Sequence, residues 1–145
     1  MCKTMEFLGV HIHGATTNLL IVVVYCSGSV AVNTLFFDDF ADFIERVAAF
    51  AAPIVIVGDI NLHLDDPFAS MTASLHDILG GADLTQHVIG ATHRAGHTLD
   101  VLITQSDAIM SVTVDQSGAI SDHSLITANI VPELVILPVG ATVSG

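Results

Sequence analysis

The sequence predicts a mixed α/β or α+β layered domain, and three observations carry that expectation. Short β-branched runs alternate with two stretches of helical periodicity. One run, residues 54–57, is continuously apolar, as a central strand buried on both faces must be. A length of 145 residues suffices for one domain with a core and is short for two.

Each element has its own local signal. Residues 6–13 and 18–25 read as strands, with Gly14-Ala15-Thr16-Thr17 as the turn between them and Ser27-Gly28-Ser29 as a polar bend after them. Phe36, Phe40, Phe43, Ile44, Val47 and Phe50 then recur at helical spacing. Asp38, Asp39 and Asp42 are interspersed, and acidic residues are expected in the first turn, where the helix dipole favours them. Pro53 ends that helix and strand 54–57 follows. After a loop, Asp65 or Asp66 is expected to cap a second helix that starts near Pro67, carries Met71, Leu75, Ile78 and Leu79, and stops at Gly80-Gly81. Strands are expected at 84–89, 98–104, 110–114 and 124–131, with a loop at 90–96.

Composition narrows the function classes. With 52% hydrophobic and 12% charged residues, intrinsic disorder is excluded. The longest apolar run, Leu19 to Cys26, has eight residues, far below the roughly 18 that a membrane helix needs. No basic segment followed by an apolar core and a cleavage site lies near Met1, so an intracellular protein, nuclear or cytoplasmic, with no membrane partner is expected. Three Lys and Arg against fifteen Asp and Glu give a formal charge of −12. That balance disfavours stand-alone nucleic-acid binding, which draws on counterion release by cations. Clustered carboxylates instead suit a hard divalent cation or a solvated acidic face. Cys2 and Cys26 form no disulfide framework and fit a reducing compartment.

Three clusters put polar residues at the ends of apolar strands. In Gly58-Asp59-Ile60-Asn61, strand alternation aims Asp59 and Asn61 to one side, a carboxylate base or metal ligand beside an amide; the alternative is an Asx-type turn closing the strand. Asp100 sits in the otherwise apolar run 99–103 and needs a polarised partner such as an imidazole, unless it faces solvent at a strand edge. Ser121-Asp122-His123-Ser124 places a carboxylate and an imidazole on one turn, either as two roles in one site or as a capped, exposed bend. The pairs His11/His13 and His93/His97 are read as polar surface histidines in preference to zinc ligands, and His63, His76 and His87 show no evident function.

Taken in order, Gly-Asp-x-Asn, Thr-x-Asp and Ser-Asp-His resemble the signature of the endonuclease/exonuclease/phosphatase family, whose fold is the deoxyribonuclease I-like layered β-sandwich flanked by helices. The run from Thr92-His93-Arg94 through His97-Thr98-Leu99-Asp100 to Thr104 is similar to the endonuclease domains of non-LTR (LINE-type) retrotransposons. The resemblance spans about residues 7–131. It implies that Asp59 aligns or deprotonates the attacking water and that Asn61 holds the scissile phosphate. It implies further that Asp122 helps to hold Mg²⁺ or Mn²⁺, and that His123 polarises the phosphate with Asp100 fixing its tautomer. Tyr25, which ends Val22-Val23-Val24-Tyr25, would touch the phosphate.

Departures from the family shape the expected activity. The family's N-terminal half supplies an Asn and the principal metal-binding Glu, and Met5-Glu6-Phe7-Leu8 does not match that motif. Basic residues along a DNA groove are scarce. The expectation is therefore a single, N-terminally truncated α+β domain. It would be a metal-dependent phosphodiesterase lineage with DNA as target and with slow or lost turnover. The alternative is a non-catalytic relic that self-associates through an exposed sheet face, and an unrelated metal-binding α/β domain is the third reading.

Overall fold

The computed structural model describes residues 4–15, 18–27, 34–66, 69–105, 109–115 and 121–130. Among them the order is β1 (Glu6–His13), β2 (Asn18–Tyr25), α1 (Thr34–Ala48), β3 (Ile54–Asp59), α2 (Ser70–Gly81), β4 (Leu84–Gln86), β5 (Asp100–Gln105), β6 (Ile109–Asp115) and β7 (Leu125–Ile130). The fold class is α+β, as the sequence predicts. A five-stranded mixed sheet runs β1-β2-β3-β5-β4, and β6 and β7 form a separate antiparallel pair. Only β2 and β3 run parallel, joined across α1; the other neighbours in the large sheet are antiparallel.

The core lies on the helix-covered face of this sheet. Phe36, Phe40, Phe43, Ile44 and Val47 of α1 are buried against Leu20, Val22, Val24 and Ile56, and α2 contributes Leu75 and Leu79 to the same cluster. Each such side chain contributes about 1.5–3 kcal/mol on leaving water, so the apolar stripe of α1 is a main source of stability. Strand β3, at the centre of the strand order, buries Ile54, Val55 and Ile56 in succession, which accounts for its unbroken apolar sequence.

Several boundaries differ from the sequence expectation, each for a local reason. No acidic residue lies in the first turn of α1: the helix begins at Thr34, a turn before Asp38, so that Phe36 can join the core. Asp39 instead accepts hydrogen bonds from the Thr4 backbone N–H and hydroxyl, at 3.0 and 2.8 Å. Helix α2 begins at Ser70 with Ala69 as its uncapped N-cap. Asp65 does not cap it, because its carboxylate accepts the Thr98 N–H at 3.0 Å. Strand β4 stops at Gln86: the His87 N–H still donates to the Leu102 carbonyl at 2.9 Å, but the Gln86 side-chain oxygen takes the Val88 N–H, so 88–89 leave the ladder. Strand β5 starts at Asp100 and not at 98, because the Leu99 and Asp100 N–H groups go to the Thr92 hydroxyl. Thr16, Thr17, Gly28, Ser29, Pro67, Val131 and Cys2 lie outside the described residues. No helix among the described residues is long and apolar enough to cross a membrane.

Candidate active site

The C-terminal end of β3 organises the site. Asp59 stands in register with Tyr25 of parallel β2 on one side and with Asp100 of antiparallel β5 on the other. Cross-strand partners share a sheet face, so three chemically useful side chains occupy one rung. Gly58, just before it, has φ +146°, and a Cβ there would run into the Val24 backbone. Only glycine lets β3 pass β2 this closely.

Asn61 reaches the site by a turn. The strand ends at Asp59, and Asn61 has φ 53°, in the left-handed region that asparagine tolerates. Its backbone N–H donates to Asp59 Oδ1 at 2.9 Å and its side-chain amide donates to the Cys26 carbonyl. The Asx turn and the site are thus one structure, and strand alternation does not govern Asn61. Cys26 is buried, and burial pushes its thiol up to about 12, so it stays protonated and unreactive.

His123 arrives from the other end of the sequence on the segment that leads into β7. That segment is held by the loop before β5. His93 and His123 form an isolated antiparallel bridge, the Ser124 N–H donates to the Thr92 carbonyl, and the Arg94 N–H donates to the Asp122 carbonyl, both at 2.7 Å. Thr92 is fully buried, and its hydroxyl accepts the Leu99 and Asp100 N–H groups at 2.9 and 3.2 Å. One residue therefore ties the start of β5 to the His123 segment.

The result is a carboxylate–imidazole–carboxylate line. His123 Nδ1–H donates to Asp100 Oδ2 at 2.8 Å, and Nε2 lies 3.5 Å from Asp59 Oδ2. The Asp100 hydrogen bond raises the His123 pKa above its ordinary value; partial burial opposes this, and the charges of Asp100, Asp59 and Asp122 add to it. Burial is the largest influence on Asp59 and raises its carboxyl pKa, partly offset by the Asn61 N–H, while the Asp100 charge raises it further. Asp122 is more exposed and pairs with His93, whose Nε2 lies 3.3 Å from its carboxylate. The Ala95 N–H donates to His93 Nδ1 at 3.0 Å, which leaves the proton on Nε2.

The structure brings Asp59, Asn61, Asp100 and His123 into one connected cluster, with Asp122 joined through its own backbone and His93. Tyr25, half-exposed, borders Asp59 in the sheet. Sequence reading missed Thr92 and His93. The mirrored pairs Thr92-His93 and His97-Thr98, facing each other across a tight loop, were the available signal. Two groups of donor atoms stand within 4.8 Å of one another, Asp59/Asp100/His123 and His93/Asp122/His123. One set offers two carboxylates and an imidazole, the other one carboxylate and two imidazoles; mixed oxygen and nitrogen donors of this kind can hold a divalent metal ion, so the residues present fit such a group.

The fold has known counterparts. The endonuclease domain of TRAS1, a telomere-specific non-LTR retrotransposon, superposes with a TM-score of 0.72 at 19% identity, over 88% of this chain and 62% of that one. The 3′ phosphatase NExo from Neisseria, solved with a product DNA hairpin, matches with a TM-score of 0.56 at 20% identity, over 77% of this chain and 61% of its own. The human Nocturnin catalytic domain, solved with a sulfate anion, gives 0.54 at 14% identity, over 86% and 53%. The chain thus has the deoxyribonuclease I-like fold of endonuclease/exonuclease/phosphatase structures and spans less than two thirds of the length of these relatives. No protein-family model and no curated protein sequence matches it.

Proposed function

We propose that this chain is a phosphodiester hydrolase of the endonuclease/exonuclease/phosphatase type, dependent on Mg²⁺ or Mn²⁺, with DNA as substrate and a retrotransposon endonuclease lineage. The observation that supports this reading is the Asp100–His123–Asp59 line with Asn61 bound to its end. His123, its Nδ1–H held by Asp100, keeps its proton readily and presents Nε2–H to a phosphoryl oxygen. Asp59, whose proton affinity burial increases, accepts a proton from the attacking water. The second N–H of the Asn61 amide and the Tyr25 hydroxyl position the phosphate. Asp122 would hold the divalent ion, which when bound would supply charge neutralisation to the phosphorane-like transition state. Arg94, on the loop that carries His93, is a cation beside the site in a chain of net charge −12.

Nicking of supercoiled plasmid tests this. Slow relaxation that needs Mg²⁺ or Mn²⁺ and falls about 10²–10³-fold in His123→Ala and in Asp59→Ala is expected. Relaxation equal to that in EDTA, or unaffected by both substitutions, overturns it.

A second reading, self-association of a non-catalytic module, is favoured by the sheet face opposite the helices. Leu8 (68% exposed), Val10 (51%), Ile12 (42%) and Val23 (48%) line one apolar stripe across β1 and β2. A second copy packed on it would dimerise the chain. Sedimentation velocity with the parent and Val10→Lys tests this: a parent that is monomeric at high micromolar concentration refutes it.

A further inference from the structure

The loop between β3 and α2 leaves the active cluster at Asn61, and Asn61 also lines a separate cavity of about 370 Å³ together with His63, Asp65, Asp66, Met71 and His97. That volume falls within the roughly 300–1,000 Å³ of small-ligand sites. The imidazoles of His63 and His97 stack in it, with centroids 3.8 Å apart and planes within 10°. Asp65 sets the stack. Its Oδ2 accepts His97 Nδ1–H at 3.2 Å, while its Oδ1 accepts the Thr98 N–H at 3.0 Å just before β5.

The chemistry of this cavity differs from that of the neighbouring phosphate-handling cluster. The stacked pair presents a flat aromatic platform to the cavity. The Thr98 N–H, foremost, holds the Asp65 carboxyl below its ordinary pKa, so the carboxylate is anionic at neutral pH. Asp65 and Asp66 therefore repel phosphate but accept hydrogen bonds from N–H groups. Met71, 40% exposed, adds a polarisable side chain suited to a flat ring. A π-surface beside carboxylate acceptors selects an uncharged planar ring that bears an amine.

We infer that this cavity is a subsite for a nucleobase flanking the scissile phosphate, in which the base stacks on the His63–His97 pair and its exocyclic amine donates to an aspartate carboxylate. The inference rests on the phosphodiesterase reading, since Asn61 joins the two sites. It also suits a chain short of Lys and Arg, because stacking adds sequence-tolerant affinity for each base bound.

Histidine Cε1–H resonances of the unaltered 145-residue chain, titrated in Mg²⁺ with dAMP and separately with 2-deoxyribose 5-phosphate, test it. The expected result is that dAMP shifts His63 and His97 by its ring current, that the sugar phosphate does not, and that both shift His123. His63→Ala should weaken dAMP about tenfold, as expected for loss of one stacking partner, and leave the sugar phosphate unchanged. Equal shifts of His63 and His97 with the two probes, or a His123 response with His63 and His97 silent, overturn the subsite and leave the phosphodiesterase reading standing. Silence at His123 with both probes overturns that reading as well.

Discussion

Gly58 is the residue on which the placement of Asp59 depends, and replacing it by alanine has a calculable cost. Its φ of +146° is a backbone conformation that L side chains rarely adopt. A Cβ built there overlaps the Val24 carbonyl oxygen, with the Val24 carbonyl carbon at 2.8 Å and its nitrogen at 2.9 Å. All three atoms are backbone of the paired strand β2, so no rotamer change relieves the overlap. Backbone strain of about 1–3 kcal/mol and overpacking of about 1–3 kcal/mol together make Gly58→Ala destabilising by about 2–6 kcal/mol. An unfolding entropy of about 2.1 cal/mol/K per residue over 145 residues is about 0.3 kcal/mol/K. The melting temperature should therefore fall by about 7–20 °C. Gly80→Ala is the matched control, since nothing lies within 4 Å of its Cβ position in α2. Alanine there gains about 0.5–1 kcal/mol of helix preference, a rise of about 2–3 °C. Circular-dichroism melts of the three proteins read both signs at once. A Gly58→Ala chain that melts within about 2 °C of the parent refutes the close approach of β3 to β2.

Three further outcomes follow from the same geometry. Thr92→Val leaves the Leu99 and Asp100 N–H groups without their acceptor and should cost roughly 2–4 kcal/mol in urea unfolding; an unchanged midpoint contradicts the tie between β5 and the His123 segment. Asp100→Asn removes the main cause of the raised His123 pKa, so an NMR titration should show that pKa fall. Because His123 is raised in the fold, its contribution is complete below the unfolded value near 6.5 and is lost as pH rises through the folded one; Asp100→Asn should flatten this dependence, and an unmoved titration would show that the pair does not form. Asp59, also raised, has the same sign at lower pH: stability is greatest below its unfolded value of 3.8 and declines as pH rises through the folded value. Asp59→Asn should therefore melt no lower than the parent at pH 7 while its nicking falls about 10²–10³-fold. A clear loss of stability at pH 7 would count against the buried-carboxylate assignment.

Much of the fold was legible because local pattern and tertiary burial agree. The phenylalanine spacing of α1 marks a stripe that packs on the sheet, and the unbroken run Ile54-Val55-Ile56 marks the central strand. Boundaries were less legible, since distant groups settle them. Asp65 looked like a helix cap, yet the Thr98 N–H claims its carboxylate from 33 positions away. Thr92 looked like part of a loop, yet its hydroxyl takes two N–H groups that would otherwise lengthen β5.

The candidate site divides along the same line. Residue types and their order are properties of the chain, and Gly-Asp-x-Asn, Thr-Leu-Asp and Ser-Asp-His could be read one after another as strand ends rich in carboxylate, amide and imidazole. Distances are not properties of the chain. Asp59 and Asp100 become neighbours only because β3 and β5 pair antiparallel in that register. His123 meets them only because the His93 bridge carries its segment to the sheet edge. The stacked His63–His97 pair had no pattern at all, since 34 positions separate two residues whose segments are joined by the Asp65 bonds to His97 and Thr98 and by the Leu64 N–H bond to the Thr98 carbonyl. Periodicity records which side of an element meets the core. It holds no record of which two elements meet at their ends, because that depends on register and on hydrogen bonds formed only when the whole sheet assembles.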